Sequence, residues 1–281
     1  MTVNQSEKEK VLRIGELSSL GAMPYFFPLK HVFKERDWEF VQGSQAELDS
    51  KMARGELDVG LCSPMIVAAS PREYRIFPNI GYGSRRHIKD VLFFSDMLLD
   101  DMDEMSVSVQ EDALVASALI QVVMGRYLQY QNEFIMGWNS AEAHVLAGDP
   151  ALRERLLARY AYVYDVGDLW RHYTGMPMIY NLWVVRTEAL REKEAMIVYF
   201  HRILKQALAV ASSDFSRLAS MVDGYEWIKK TMISQFWKKV DYHISPDHFE
   251  GLHRFYEDCV EIDIMDDTPD LEYFEYAEEE I

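Results

Sequence analysis

Apolar positions along the chain fall into short continuous runs and into stretches at helical spacing, and the alternation between the two orders the predicted elements. VLRIGEL at residues 11–17 is a mainly apolar run halted by Ser18, Ser19, Leu20 and Gly21, which predicts a buried strand followed by a loop. SQAELDSKMARG at residues 44–55 carries the signature of a capped helix: Ser44 at the N-cap, Glu47 three residues on as its capping-box partner, and Gly55 as the stop. LDVGLCS then supplies a second strand that ends at Ser63 and Pro64. A strand, a helical connection and another strand are what α/β proteins with parallel sheets repeat.

KDVLFFS (residues 89–95) predicts a third strand, and the acidic stretch DMLLDDMDEM that follows marks a crossing between lobes before SVSVQ. Asp112 is placed to cap a helix over residues 113–130, and YAYVYDVGDLW predicts a further strand and turn. MPMIYNLWVVR, rich in aromatic and β-branched residues, is the expected strand returning to the first lobe. From Thr187 onward apolar residues recur at helical spacing, and Ser245-Pro246 opens another helix with Ser at the N-cap and Pro at N1. The expected architecture is α/β and two-lobed, with residues 11–97 and 184–281 in one lobe, 98–183 in the other, and polar or acidic ends at 1–10 and about 266–281.

The formal charge of −17 is unevenly placed: twelve acids and no Lys or Arg follow Arg254, leaving 34 acids against 29 bases before it. The tail is therefore expected to be a solvated segment, with Leu271, Tyr273, Phe274 and Tyr276 available to pin part of it. No concentrated basic surface is visible, so nucleic acid is not an expected partner. Uncharged runs stop well short of the ~18 apolar residues of a membrane span, and MTVNQSEKEK resembles no secretory signal, so a cytoplasmic location is expected. Cys62 and Cys259 are too few and too far apart for a disulfide framework and are read as thiols. His243, His248 and His253, beside Asp241 and Glu257, form the densest group of possible metal ligands. On one helix His248 and His253 would stand about 140° apart, so surface histidines are expected and no metal or other cofactor is implied. Gly-rich phosphate loops and a GxSxG elbow are missing too.

The remaining polar candidates sit at predicted strand ends, where α/β folds place ligands: Ser18, Ser19, Ser63, Ser84, Arg85, Arg86, His87, Glu111, Asp112, Asp149 and Asn181. For any one of them, a turn or cap role competes with ligand contact.

Five collinear stretches within residues 11–186 resemble the chorismate dehydratase family of the futalosine route to menaquinone. They are RIGELSSLGAMPYFFPL, ARGELDVGLCSP, YRIFPNIGYGSRRHIKDVLFFS, AGDPALR and DLWRHYTGMPMIYNLWVVR. The resemblance implies a type II periplasmic-binding-protein-like fold with an interlobe cleft and a small-molecule lyase that eliminates water. Two departures stand out: Gly21 occupies the place of an Asn, and residues 110–115 read QEDALV where the family opens a helix with small hydroxyl residues. The kept candidates are Ser63 and Ser84 as donors and Asn181 as an orienter, while Glu16, Glu111 or Asp112 serves as a base only if it points into the cleft; catalysis is thus expected of Ser84, Glu111 and Asp112, and substrate contact of Ser18, Ser19, Gly21, Ser63, Ser84, Asp149 and Asn181. A second reading is a small-ligand binding or sensing protein that kept the clamp without the chemistry. If Glu111 or Asp112 faces the cleft, the ligand there is expected to be neutral or positively charged.

Overall fold

The computed structural model describes residues 11–137 and 140–276. The first sheet opens with β1 (Leu12–Leu17), the short 3-10 turn Leu20–Ala22 and α1 (Met23–His31). Next come β2 (Trp38–Gly43), α2 (Gln45–Ala53), β3 (Val59–Cys62), α3 (Pro64–Ala69) and β4 (Tyr74–Ser84). The second sheet is built from β5 (Val91–Ser95), β6 (Ser106–Val109), β7 (Glu133–Met136), β8 (Ala143–Ala147) and β9 (Tyr162–Asp165). Its helices are α4 (Leu114–Gln121), α5 (Gly148–Leu157) and α6 (Val166–Thr174). The chain returns through β10 (Met178–Arg186) and ends in α7 (Thr187–Ser213), α8 (Phe215–Met221), α9 (Lys230–Trp237) and α10 (Pro246–Glu261).

Strand order is β2-β1-β3-β10-β4 in the first sheet and β7-β6-β8-β5-β9 in the second. β1 pairs in parallel with both β2 and β3, and β10 inserts antiparallel between β3 and β4. The residues of β3 are all buried, as expected where helices cover both faces of a sheet. Ser44 and Glu47 form the reciprocal capping box at the start of α2, and Gly55 takes a φ of +74°, which a glycine adopts without strain.

Three expectations are corrected. Residues 91–95 belong to the second sheet, paired antiparallel with β8 and β9, so the chain crosses between Ser84 and Val91; the acidic stretch after Ser95 forms the short turn Leu99–Asp101. The returning strand lies where MPMIYNLWVVR predicts it, from Met178, so the lobe bound falls ahead of residue 184. A local composition change marks solvent exposure, whereas sheet membership is decided by which distant strand supplies the hydrogen bonds. Asp112 does not cap α4: Ala113 holds the N-cap position without a side-chain bond, and the helix gives way to π-helical turns over Val122–Tyr127. His248 is fully buried, with Nδ1 2.8 Å from Ser245 Oγ and Nε2 3.2 Å from Asp241 Oδ2. His243 and His253 are exposed, as expected. Among the described residues no group of three His, Cys, Asp or Glu is arranged to hold a metal ion.

The tail is pinned as its apolar residues suggest. Ile76 and residues 272–274 exchange backbone hydrogen bonds, Phe274 is buried against Phe77, and Arg75 pairs with Glu272. Residues 1–10 and 277–281 lie outside the described part. Lys193, where α7 departs from helical backbone, turns inward to donate to Asp58 Oδ2 at 2.8 Å and to the carbonyl of Val11. Both cysteines are buried free thiols in separate places. Among the described residues no helix is long and apolar enough to cross a membrane.

Candidate functional site

A cavity of about 260 Å³ lies between the two sheets. The first-sheet side contributes Ser18 and Ser19 after β1, Ser44 and Gln45 at the start of α2, and Ser63 after β3, with Tyr82, Tyr180 and Asn181 from β4 and β10. Facing them are Asp90 and Val91 at the head of β5, Gln110, Asp112 and residues 113–116 entering α4, and residues 147–150 entering α5. The ends of β1, β3, β6 and β8 thus converge on one space, following the rule for α/β sheets.

The opening loop is held from below by the C-terminal helices. Trp237 Nε1 donates to the carbonyl of Leu20 at 2.7 Å, and the Tyr242 hydroxyl donates to the carbonyl of Gly21 at 2.7 Å. From the opposite side Asp149 Oδ1 accepts from the Leu20 amide at 2.9 Å, a direct tie between the two halves. Ser19 accepts from the Gly21 amide and starts the 3-10 turn.

A polar chain backs the first-sheet wall. Asn181 Nδ2 donates to Gln45 Oε1 at 2.6 Å, Gln45 Nε2 donates to Asp49 Oδ1 at 2.8 Å, and the same oxygen accepts from the Ser63 amide at 3.1 Å. Burial pushes the Asp49 carboxyl up to about 6 despite the Ser63 and Gln45 donors. Ser63 Oγ caps α3 through the Met65 amide. On the other wall Gln110 bridges, accepting from the Ala147 amide at 3.0 Å and donating to Asp112 Oδ1 at 2.5 Å.

Of the residues expected at the site, Ser18, Ser19, Ser63, Asp112, Asp149 and Asn181 line this cavity. Gly21 is in the opening loop, its amide bonded to Ser19, and Ser84 turns its hydroxyl to the carbonyl of Arg86 at 2.5 Å; neither is among the lining residues. Glu111 lines a neighbouring depression with Gly137 and Ser108. Glu16 is buried and paired with Lys30 at 2.9 Å. Arg85 is occupied by Asp247 at 2.6 Å, on the α10 side.

Among the lining residues that sequence reasoning missed are Gln45, Tyr180, Tyr82 and Asp90. A Cβ built on Gly21 would stand 2.6 Å from the Tyr82 hydroxyl and 2.7 Å from its ring, so the tyrosine occupies the space where a side chain at position 21 would begin. That hydroxyl donates to Asp90 Oδ2 at 2.6 Å. Burial, reinforced by Asp149 and Asp165, raises the Asp90 carboxyl to about 7 although the tyrosine bond opposes the shift. The available signal was an acidic residue immediately before the apolar run VLFFS, a position where a buried strand rarely begins with an unpaired charge.

Comparison with known proteins agrees with this arrangement. The model of a family described as menaquinone biosynthesis matches residues 12–261. The chain belongs to the menaquinone biosynthesis family. Family membership covers both sheets and the cavity between them. Among solved structures, protein AF1704 from Archaeoglobus fulgidus is 14% identical with a TM-score of 0.64, over 93% of this chain and 100% of that one. The periplasmic aliphatic sulphonate binding protein SsuA from Escherichia coli is 13% identical with a TM-score of 0.64, over 97% and 96%. A Candida albicans gene product described as exhibiting the generic periplasmic binding protein fold is 11% identical with a TM-score of 0.56, over 82% and 81%. These likenesses show the fold, which is periplasmic-binding-protein-like.

Proposed function

We propose that this family member is a small-molecule lyase of the chorismate dehydratase type, acting on a ring-sized metabolite held between the two sheets. The observation that carries the reading is the Asp90–Tyr82 pair in the cavity wall. Eliminating water breaks a C–H and a C–O bond, so a proton must be taken from carbon and one must be given to the departing hydroxyl. A carboxyl that exchanges its proton near neutrality, hydrogen-bonded to a buried phenol, is suited to both: ionised, it takes the C–H proton, and once protonated it returns that proton to the departing hydroxyl. Ser18, Ser19, Ser63 and Asn181 supply neutral donors and acceptors to orient the substrate, and Asp149 holds the opening loop in place.

The opening loop contributes backbone only, because Tyr82 leaves no room for a side chain at Gly21. Chorismate itself should therefore be turned over slowly, an oxyanion-type donor being worth roughly 10² to 10³ in rate. The test is incubation of concentrated protein with chorismate, followed by NMR. A dehydrated product that forms with the native protein and not with Asp90→Asn supports the lyase; rapid turnover that Asp90→Asn leaves unchanged refutes the role of the pair. The bare loop favours a second reading, a ligand-binding protein of the same fold, which binding of chorismate or a neutral analogue without turnover would support.

A further inference from the structure

Among the described residues, the cavity lining holds three carboxylates, Asp90, Asp112 and Asp149, and no Lys, Arg or His. Each has one donor within the protein, Gln110 Nε2 for Asp112, the Leu20 amide for Asp149 and the Tyr82 hydroxyl for Asp90, but of their second oxygens only that of Asp90 is a buried atom without a partner. Asp90 differs. Only 7% of its surface is exposed, Oδ2 is engaged by Tyr82, and Oδ1 has no hydrogen-bond partner. Its backbone is held as well, since its carbonyl accepts from the Gly148 amide at 2.8 Å. A buried carboxyl oxygen without a donor is costly, and a place where a ligand can supply the missing hydrogen explains why it is kept.

We propose that Asp90 is a recognition residue whose Oδ1 accepts a hydrogen bond from a hydroxyl or ammonium group of the ligand, so that the cavity selects ligands that are neutral or positively charged at this end over dicarboxylates. The proposal rests on the reading that this cavity is the substrate site, and adds to it the charge class of what enters. The groups facing Asp90 reinforce the preference: Tyr82 from β4, Tyr180 from β10 and Tyr242 from the segment before α10 are uncharged, while Asp149 from α5 and Asp165 from β9 are acidic. A ligand carboxylate brought beside them in a low-dielectric space meets like charge and no countercharge in the lining, and Asp112 adds a further negative charge just ahead of α4. A ligand hydroxyl or ammonium instead satisfies Oδ1 directly.

Chorismate and its dimethyl ester share one skeleton and differ by two negative charges, so their affinity ratio reads the selectivity. Titration calorimetry of the full chain at fixed salt and about pH 8 should show the ester binding at least about tenfold more tightly than chorismate. Asp90→Asn retains shape and an acceptor for Tyr82, and should shift the ratio at least about tenfold toward chorismate; Asp90→Ser should shift it in the same direction. Lowering the pH to about 6 should narrow the native ratio by protonating Asp90 and leave that of Asp90→Asn less affected. A native ratio near one, or a ratio that neither variant moves, overturns the role of Asp90 while leaving the cavity as the site. Failure of the native protein and both variants to bind either compound overturns the proposed function, and the inference with it.

Discussion

At Asp90, titration links site and stability. A carboxyl whose folded pKa lies near 7 takes up a proton more readily in the fold than in the unfolded chain, where it titrates near 4. Its stabilising contribution is therefore complete below about pH 4 and lost as pH rises through about 7. Denaturant unfolding across that window should show Asp90→Asn gaining on the native protein by at least about 1 kcal/mol, and parallel pH profiles would remove Asp90 as the titrating group. Asp58 works in the opposite sense: burial disfavours its charge, but hydrogen bonds from Arg13 and Lys193 outweigh that and hold its carboxyl below the usual range, so its contribution fades as acid protonates it. Gly21 gives a second prediction at this scale. Gly21→Asn should destabilise by about 1–3 kcal/mol through collision with the Tyr82 ring, and combining it with Tyr82→Ala should cost less than the two changes summed. Additive melting data would mean that the loop moves aside instead.

The elements that serve the site are held by hydrogen bonds whose loss should be felt more in binding than in stability. Trp237 at the end of α9 and Tyr242 beyond it donate to the two loop carbonyls that follow β1. Tyr242→Phe removes one neutral bond, worth about 1 kcal/mol, and should weaken affinity for the chorismate ester while the melting temperature moves by only a few degrees. At α2, Ser44→Ala should cost about 1 kcal/mol by breaking the capping box, and should also loosen Gln45 in the cavity wall. Chemical denaturation with ligand titration on the same variants separates the two effects.

Across the whole molecule, the contacts between the two halves include the Leu20–Asp149 bond, the Tyr82–Asp90 bond and the guanidinium of Arg153 lying 4.1 Å from the Trp227 ring centroid, together with Tyr127 and Arg126 on Asp258 and Trp170 against Phe255 of α10. Asp149→Ala removes the tie to the opening loop and should raise the radius of gyration of the ligand-free protein in small-angle scattering, with ligand restoring the native value; an unchanged radius in both states would show that the tie does not set the closure. The acidic tail has a structural part that its charge conceals. Truncation after Thr268 strips Phe274 from Phe77 and breaks its ladder with Ile76, which should cost about 2–4 kcal/mol in urea unfolding.

Local pattern alone determined the strand that precedes Ser18, the capped helix at Ser44, the Pro-led helix at Ser245 and the wholly buried strand at Val59, because capping and period are written within a few residues of each element. The likeness of five collinear stretches also carried the fold, and Ser18, Ser19, Ser63, Asp149 and Asn181, expected at strand ends, do line the cavity. Tertiary structure decided the rest. Sheet membership of residues 91–95 depended on the distant strands β8 and β9, and the N-cap position fell to Ala113 while the Asp112 carboxylate accepts from the Gln110 side chain. Nothing near Gly21 in the chain announces Tyr82, and nothing near Asp90 announces that its partners are a tyrosine eight residues back and carboxylates from α5 and β9. The charge state of a buried acid is set by what the fold gathers around it, a sum over neighbours distant in sequence that no local pattern contains.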